Sequence, residues 1–435
     1  MITKIYPGSI NYTCTVVKLP HKQVIQGLDN LVNVCIFGNN CLISKDSDEN
    51  KLWLFFPSGT ILSEKFLAAN NLYRHSELNA DKTKKGFFED NGRVKSVKFK
   101  GVVSTGFCIP VSALGEMGLV YTDLNVGDEF NEIDNEFICK KFINRHLESS
   151  KSPKIKTGRV LDEVVNSRLV PEHDDSSHLM RNTRKMDRNP IVAVTHKMHG
   201  TSLRVFKAPV KRPLRWYERL YAYFGGKIQD EVYDYVVGSR RVIKSIGFKT
   251  LSGKEHFYSE DLWSKAAKEY FDGKLFDGEA VFCEIVGKDY TKKAIQPGYT
   301  YGFETPKIFI YRIANINHQG VEVDLPYAQM KIRADQLGIP VCQELFYGRF
   351  NDFLEQFKAE GNTLDEKIED VFYKKLLDKP DPVDPTVVNE GYVVRIDDIY
   401  PKPEMLKAKS PLFIKGESDL ADKGNLDIED QQSEE

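Results

Sequence analysis

The chain has 435 residues, with 61 Lys plus Arg against 63 Asp plus Glu and 41% hydrophobic residues. That length exceeds one ordinary domain, so two are expected. The net charge of −2 excludes a globally basic nucleic-acid coat, and no stretch is long and apolar enough to span a membrane.

Residues 1–148 read as a β module. The runs Ile10 to Leu19, Val32 to Ser44, Leu52 to Leu62 and Val94 to Cys108 are β-rich and broken by Gly, Pro and Asn, which predicts a small barrel or sandwich. Lys95 to Phe107 sets lysines and aromatics along one expected strand, suiting either a nucleic-acid surface or a solvated face. Residues 149–188 are rich in charge, Ser, Asn and His and predict a linker. His173, His178 and Arg181 fall within it, outside the expected site.

The second module, 189–415, alternates strands and helices. Pro190 to Thr195 is apolar and β-branched, as a buried strand would be, and Leu203 to Phe206 alternates. Lys207 to Gly226 sets Lys211, Arg212, Arg215 and Arg219 beside Trp216, Tyr217 and Tyr221. This composition suits clamping a polynucleotide, or an amphipathic helix packed on a sheet. Ser259 to Asp272 predicts a capped helix, as do Ala328 to Leu337 and Phe353 to Leu377, the last interrupted near Gly361. From Glu417 onward eight carboxylates stand against Lys423 alone, so 416–435 is expected to be an acidic disordered tail.

Seven cysteines (Cys14, Cys35, Cys41, Cys108, Cys139, Cys283, Cys342) lie scattered without a C-x-x-C pair. They predict reduced thiols in a cytoplasmic compartment and no zinc module. Met1 to Pro7 lacks the basic and apolar pattern of a signal peptide.

Five short boxes carry the chemistry. They are Lys197-Met198-His199-Gly200-Thr201-Ser202, Cys283-Glu284-Ile285-Val286-Gly287, Phe309-Ile310-Tyr311-Arg312-Ile313, Glu390-Gly391-Tyr392-Val393-Val394-Arg395 and Lys407-Ala408-Lys409. A neutral lysine amine can attack the α-phosphorus of a nucleoside triphosphate; burial, other cations and a metal would favour that form. Lys197 lies in a tight turn between two expected strands, where Gly200 would let backbone approach a phosphate. K-x-x-G also occurs at Lys98-Phe99-Lys100-Gly101, so the pattern needs its partners. Glu284 ends an apolar run, with Glu279 as a competing carboxylate. Tyr311, in an apolar strand, could stack on a base. Glu390 could hold a divalent cation beside a phosphate. Lys407 and Lys409, two apart on a strand, share a face and suit phosphate charge.

In this order the boxes resemble those of ATP-dependent RNA ligases of the covalent nucleotidyltransferase superfamily. The N-terminal part resembles, more loosely, the OB-like module of the Deinococcus-type RNA ligases. The resemblance implies an α+β chain: an OB-like β-barrel, then an ATP-grasp-like adenylyltransferase domain of antiparallel sheets with flanking helices. It implies Lys197 as the nucleophile that carries AMP. Nucleotide contacts would come from His196, Met198, His199, Gly200, Arg240 (in Gly238-Ser239-Arg240-Arg241), Glu284 at the ribose hydroxyls, Tyr311, Glu390, Lys407 and Lys409. Glu390 and Glu284 would hold Mg2+ or Mn2+. K-x-H-G-T, with His199, is typical of ligases that seal nicked duplex RNA, which implies an RNA or RNA/DNA hybrid partner. The chain departs from the pattern at His196, where an acidic residue is common, and at Tyr311-Arg312, where Phe-Asp is common. A GTP-using capping-type enzyme and a nucleic-acid-binding protein with a degenerate ligase domain are the alternatives.

Overall fold

The computed structural model describes residues 2–6, 8–143, 164–250, 261–398 and 400–423. The N-terminal module is built on a four-stranded antiparallel sheet ordered Gly106–Pro110, Leu52–Pro57, Cys14–Lys18, Glu129–Phe130. Leu52–Pro57 explains its form. Leu54 and Phe56 enter one core with Cys14, Val16 and Phe66, while Trp53 and Phe55 enter a second with Val34 and Ile43. A strand apolar on both faces is the middle of a stack. Among the described residues the sheet is open, flanked by small sheets and hairpins, and forms no closed barrel. The lysine-rich run is corrected. It folds as a hairpin, Val97–Phe99 against Val102–Ser104, turning at Lys100 and Gly101, both at positive φ. The second K-x-x-G is thus a hairpin turn.

The catalytic body joins an antiparallel sheet and a mixed one. Its main elements are β1 (Ile191–His196), β2 (Thr201–Lys211), α1 (Trp216–Tyr223), β3 (Glu231–Gly238), α2 (Leu262–Phe271), β4 (Glu279–Val286), β5 (Lys307–Ile316), α3 (Tyr327–Leu337), β6 (Glu344–Arg349), β7 (Gly391–Ile396), β8 (Glu404–Lys409) and α4 (Pro411–Asp422). The seven-stranded sheet runs Lys249–Thr250, Ile243–Ile246, β3, β2, β4, β5, Glu322–Asp324. The five-stranded one runs Ser177–His178, β8, β7, β1, β6. Helix α2, capped by Asp261 on the Ser264 N–H, buries Leu262, Trp263 and Phe271 with α3 against the larger sheet. The smaller sheet packs on Phe350–Gln356 and on a helix that passes from α (Leu364–Glu369) to π (Asp370–Leu376). This sets the expected interruption near Gly361, where φ is +140°. No helix among the described residues is long and apolar enough to cross a membrane.

Two expected boundaries move. The described part of the 149–188 segment is no spacer. Val165, Leu169 and Val170 are buried on the larger sheet, Leu179, Met180 and Met186 enter the core of the smaller one, and Ser177–His178 pairs in parallel with Leu406 and Lys407. The tail begins later than residue 416, because α4 continues to Asp422. Its expected continuation, 424–435, lies outside the described residues.

The two modules are in contact. Arg181 stacks over Phe37 and Phe55 and donates to Thr13 Oγ1 at 2.8 Å. The turn at Gly38 (φ +73°) lies against Tyr373 so closely that a Cβ would sit 2.2 Å from its ring.

Candidate active site

The Lys197 loop crosses from the smaller sheet (β1) to the larger (β2), and so lies where the two sheets meet. The Lys197 N–H donates to Gly391 O at 2.9 Å, tying the loop to the start of β7. The Gly200 N–H donates to Glu284 Oε1 at 3.0 Å, and its carbonyl accepts from Gln296 Nε2 at 2.7 Å. A Cβ on Gly200 would lie 2.2 Å from Ile285 O. The close approach this glycine permits is therefore to β4.

Side chains from both sheets converge. Lys197 Nζ donates to Glu390 Oε1 at 2.7 Å, and Lys409 Nζ lies 3.6 Å from that oxygen. Glu390 Oε2 lies 3.7 Å from His199 Nδ1 and is buried with no hydrogen-bond partner among the described residues. Burial opposes ionisation of Glu390, but Lys197, Lys409 and His199 outweigh it and hold the carboxyl at about 2. Lys407 goes the other way: burial, then Lys409, Lys197 and Arg240, lower its ammonium to about 7 against the pull of Asp175. Desolvation also opposes the charge on Lys409, yet Glu417 and Glu390 raise it. Neighbouring lysines on one strand face thus carry opposite shifts, set by which carboxylates they meet.

These groups line one cleft of about 840 Å³ between the catalytic body, the N-terminal module and α4. Among the expected residues, His196, Lys197, Met198, His199, Arg240, Glu284, Tyr311, Glu390, Lys407 and Lys409 are on its wall; Gly200 is not. The lining residues differ in their surroundings. His196 is buried with Nε2 2.8 Å from Asp381 Oδ2. Met198 packs with Val286 and Tyr301 in a small apolar cluster. His199 stands edge-on between Tyr299 and Phe413, with ring centroids at 4.8 and 4.9 Å. Tyr311 lies 5.5 Å from the His173 ring. Arg312, also on the cleft wall because β5 bulges at Tyr311, forms a buried pair with Asp324 at 2.7 Å. Glu279, the competing carboxylate, is buried and held by Arg333 at 2.7 and 2.8 Å.

The family model for RNA ligase matches residues 190–409. The chain belongs to the RNA ligase family. No curated protein matches this RNA ligase in sequence. Among solved structures it is similar to Naegleria gruberi RNA ligase. With PPi, that enzyme gives a TM-score of 0.56 at 17% identity over 93% of this chain and 98% of the other. A variant with AMP and Mn gives 0.56 at 15% identity, over 93% and 99%. An apo variant gives 0.55 at 15% identity, over 94% and 99%. At these identities the likeness establishes the fold, which extends across both modules of this ligase.

Sequence reasoning missed several groups at the cleft. Asp175 pairs with Arg240 and lies 3.7 Å from Arg241. His173 is on the wall as well, beside Tyr311. The polar composition of 164–188 concealed both, since it reads as linker. Glu417 accepts from Lys409 at 2.9 and 3.1 Å, from within the stretch whose composition predicts a tail. Asp381, buried behind the wall against His196, gave no local signal either, because that partner is distant in sequence.

Proposed function

We propose that this RNA ligase joins a 3′-hydroxyl to a 5′-phosphate through a lysyl-AMP intermediate formed from ATP. The nicked strand lies in duplex RNA or an RNA/DNA hybrid. The observation that carries this reading is the contact of Lys197 with Glu390, backed by Lys407 and Lys409 in one cleft. Lys197 Nζ attacks the α-phosphorus of ATP; an N–P bond forms, pyrophosphate leaves and the amine loses a proton. The AMP then passes to the oxygen of an RNA 5′-phosphate, restoring the lysine. A 3′-hydroxyl attacks that phosphate and releases AMP. Each step is an in-line displacement, so positioning and charge stabilisation dominate. Lys407 and Lys409 oppose phosphate charge, Glu284 takes the ribose hydroxyls, and Tyr311 offers a face to adenine. Of the remaining lining groups, Arg240 reaches a phosphate, while His196, Met198 and His199 shape the nucleotide pocket.

Mg2+ or Mn2+ fits the donor set. The unpartnered buried Oε2 of Glu390 is a hard oxygen ligand, and Glu284 supplies a second carboxylate on the same cleft. Among the described residues no group of three or more His, Cys, Asp or Glu is placed to hold a metal ion; the two carboxylates would hold it together with phosphate oxygens and water. When bound, the ion offsets phosphate charge.

The test is incubation with α-labelled ATP or GTP and a divalent metal, after pyrophosphate treatment to strip bound AMP, followed by a denaturing gel. Label from ATP that is lost in Lys197→Ala supports the reading. Label from GTP alone points to a capping-type enzyme, and label from neither points to a binding protein.

A further inference from the structure

Helix α1 departs from the ordinary packing of an amphipathic helix: none of its residues is buried. Trp216 is 77% exposed, Tyr223 83% and Phe224 77%, and Tyr217, Leu220 and Tyr221 are exposed as well. A contiguous apolar surface of this kind on a folded chain marks an interaction site. Its charge is one-sided. Residues 207–227 contain six cations (Lys207, Lys211, Arg212, Arg215, Arg219, Lys227) and one acid, Glu218. Glu218 is engaged within the arm, accepting from Arg212 at 2.6 and 2.8 Å and from the Arg215 N–H at 2.8 Å. What faces solvent is aromatic rings interleaved with ammonium and guanidinium groups, the chemistry that stacks bases and neutralises phosphates. Polyanion complementarity favours a nucleic acid over a second copy of a chain whose net charge is only −2. A two-turn helix is too short to bury much area in a bilayer.

The position of the arm gives it a role. Strand β2 starts at Thr201, beside the Lys197 loop, and runs for 11 residues to Lys211. At about 3.3 Å per residue, its far end stands roughly 30 Å from the nucleophile. We propose that residues 207–227 form an RNA-gripping arm that holds the substrate about 30 Å from the joint, with Trp216 and Tyr221 stacking on bases and Arg215 and Arg219 on phosphates. The proposal rests on the RNA-joining reading above.

The test measures binding of labelled nicked RNA whose flanks either exceed or fall short of that reach. Two double variants are compared, Trp216→Ala with Tyr221→Ala and Arg215→Ser with Arg219→Ser. Each is expected to weaken binding of the long substrate about 10-fold or more, to leave the short one unchanged, and to form lysyl-AMP at the wild-type rate. The arginine variant should also show a shallower salt dependence. Trp53 and Trp263 are buried, so long RNA should quench chiefly the exposed Trp216, a change lost in Trp216→Phe. Unchanged affinity for long RNA overturns the proposal. So does an effect seen instead on sedimentation with anionic vesicles or on self-association. Failure to form lysyl-AMP with arm-dependent RNA binding intact would overturn the ligase reading and leave the arm standing.

Discussion

The ammonium of Lys409 sits 2.9 Å and 3.1 Å from the two carboxylate oxygens of Glu417, one strand and one helix of the same chain meeting inside the cleft. Helix α4 is anchored on its far side to the N-terminal module, where Arg93 donates to Asp422 Oδ1 at 3.1 Å and to Ser418 Oγ at 3.2 Å. Glu417 thus offers Lys409 the charge that a phosphate would offer. Glu417→Ala is expected to remove this competitor and lower the KM for ATP in lysyl-AMP formation roughly 5-fold, the effect of about 1 kcal/mol for a partly exposed pair. Initial rates at graded ATP check it; an unchanged or raised KM would show that Glu417 only positions the lysine.

Lys197 is needed for the first two steps of the proposed sequence and not for the last. Lys197→Ala is expected to lose all labelling from α-labelled ATP while still sealing RNA that already carries a 5′-adenylate. Sealing assays on that substrate decide it. Loss of both activities would mean that the Lys197 ammonium, through Glu390, also organises the site.

Lys407, lowered to about 7, makes binding depend on pH. Below that value it is already charged. Above it the amine is neutral in the free protein, and an arriving polyphosphate favours its protonation. ATP binding is therefore expected to take up protons at pH 8 and far fewer at pH 6. Calorimetry in buffers of different ionisation heat measures the uptake, and Lys407→Met should abolish it.

Glu390 has the opposite linkage. Its folded-state carboxyl, held near 2, lies below the unfolded value of about 4.3. The resulting stabilisation is present above pH about 4.3 and lost as pH falls toward 2, on the order of 3 kcal/mol in all. Glu390→Gln is expected to be less stable at pH 7 and to lose less of its stability on acidification. Denaturant melts at several pH values test the slope.

Glu279 and Glu284 are expected to separate cleanly. Glu279→Ala leaves Arg333 only its bonds to Lys274 O and Gln336 and should cost about 2–3 kcal/mol of stability, leaving nucleotide binding near normal. Glu284→Ala should bind ATP more weakly with a smaller stability loss. Thermal melts with and without ATP distinguish the two.

Much of the catalytic body was legible in the sequence because its signals are local. The apolar run before Lys197 is a buried strand, the lysine turn lies between two strands, and Lys407 and Lys409 lie two apart on a third. Strand and helix periods depend on neighbours within a few residues, so such elements show themselves without a fold. The order of the boxes likewise pointed to the family that the model match establishes.

What only the tertiary structure decided involves partners distant in sequence. Leu52–Pro57 has the same apolar run whether it closes a barrel or fills an open stack; the difference lies in Phe66 on one side and Val34 on the other. Asp175 and Glu417 became part of the cleft, and Asp381 a buried partner of its wall, because chain folding brought them to Arg240, Lys409 and His196. No local pattern encodes such pairs. Glu284 and Glu279 are both carboxylates on one strand, and only Arg333, 54 residues from Glu279, takes one of them out of the site. The sequence by itself determined which chemical groups this chain possesses and which strands carry them. Packing decided which charges meet, and through burial and neighbouring charge it set Lys407 and Lys409 in opposite directions on one strand.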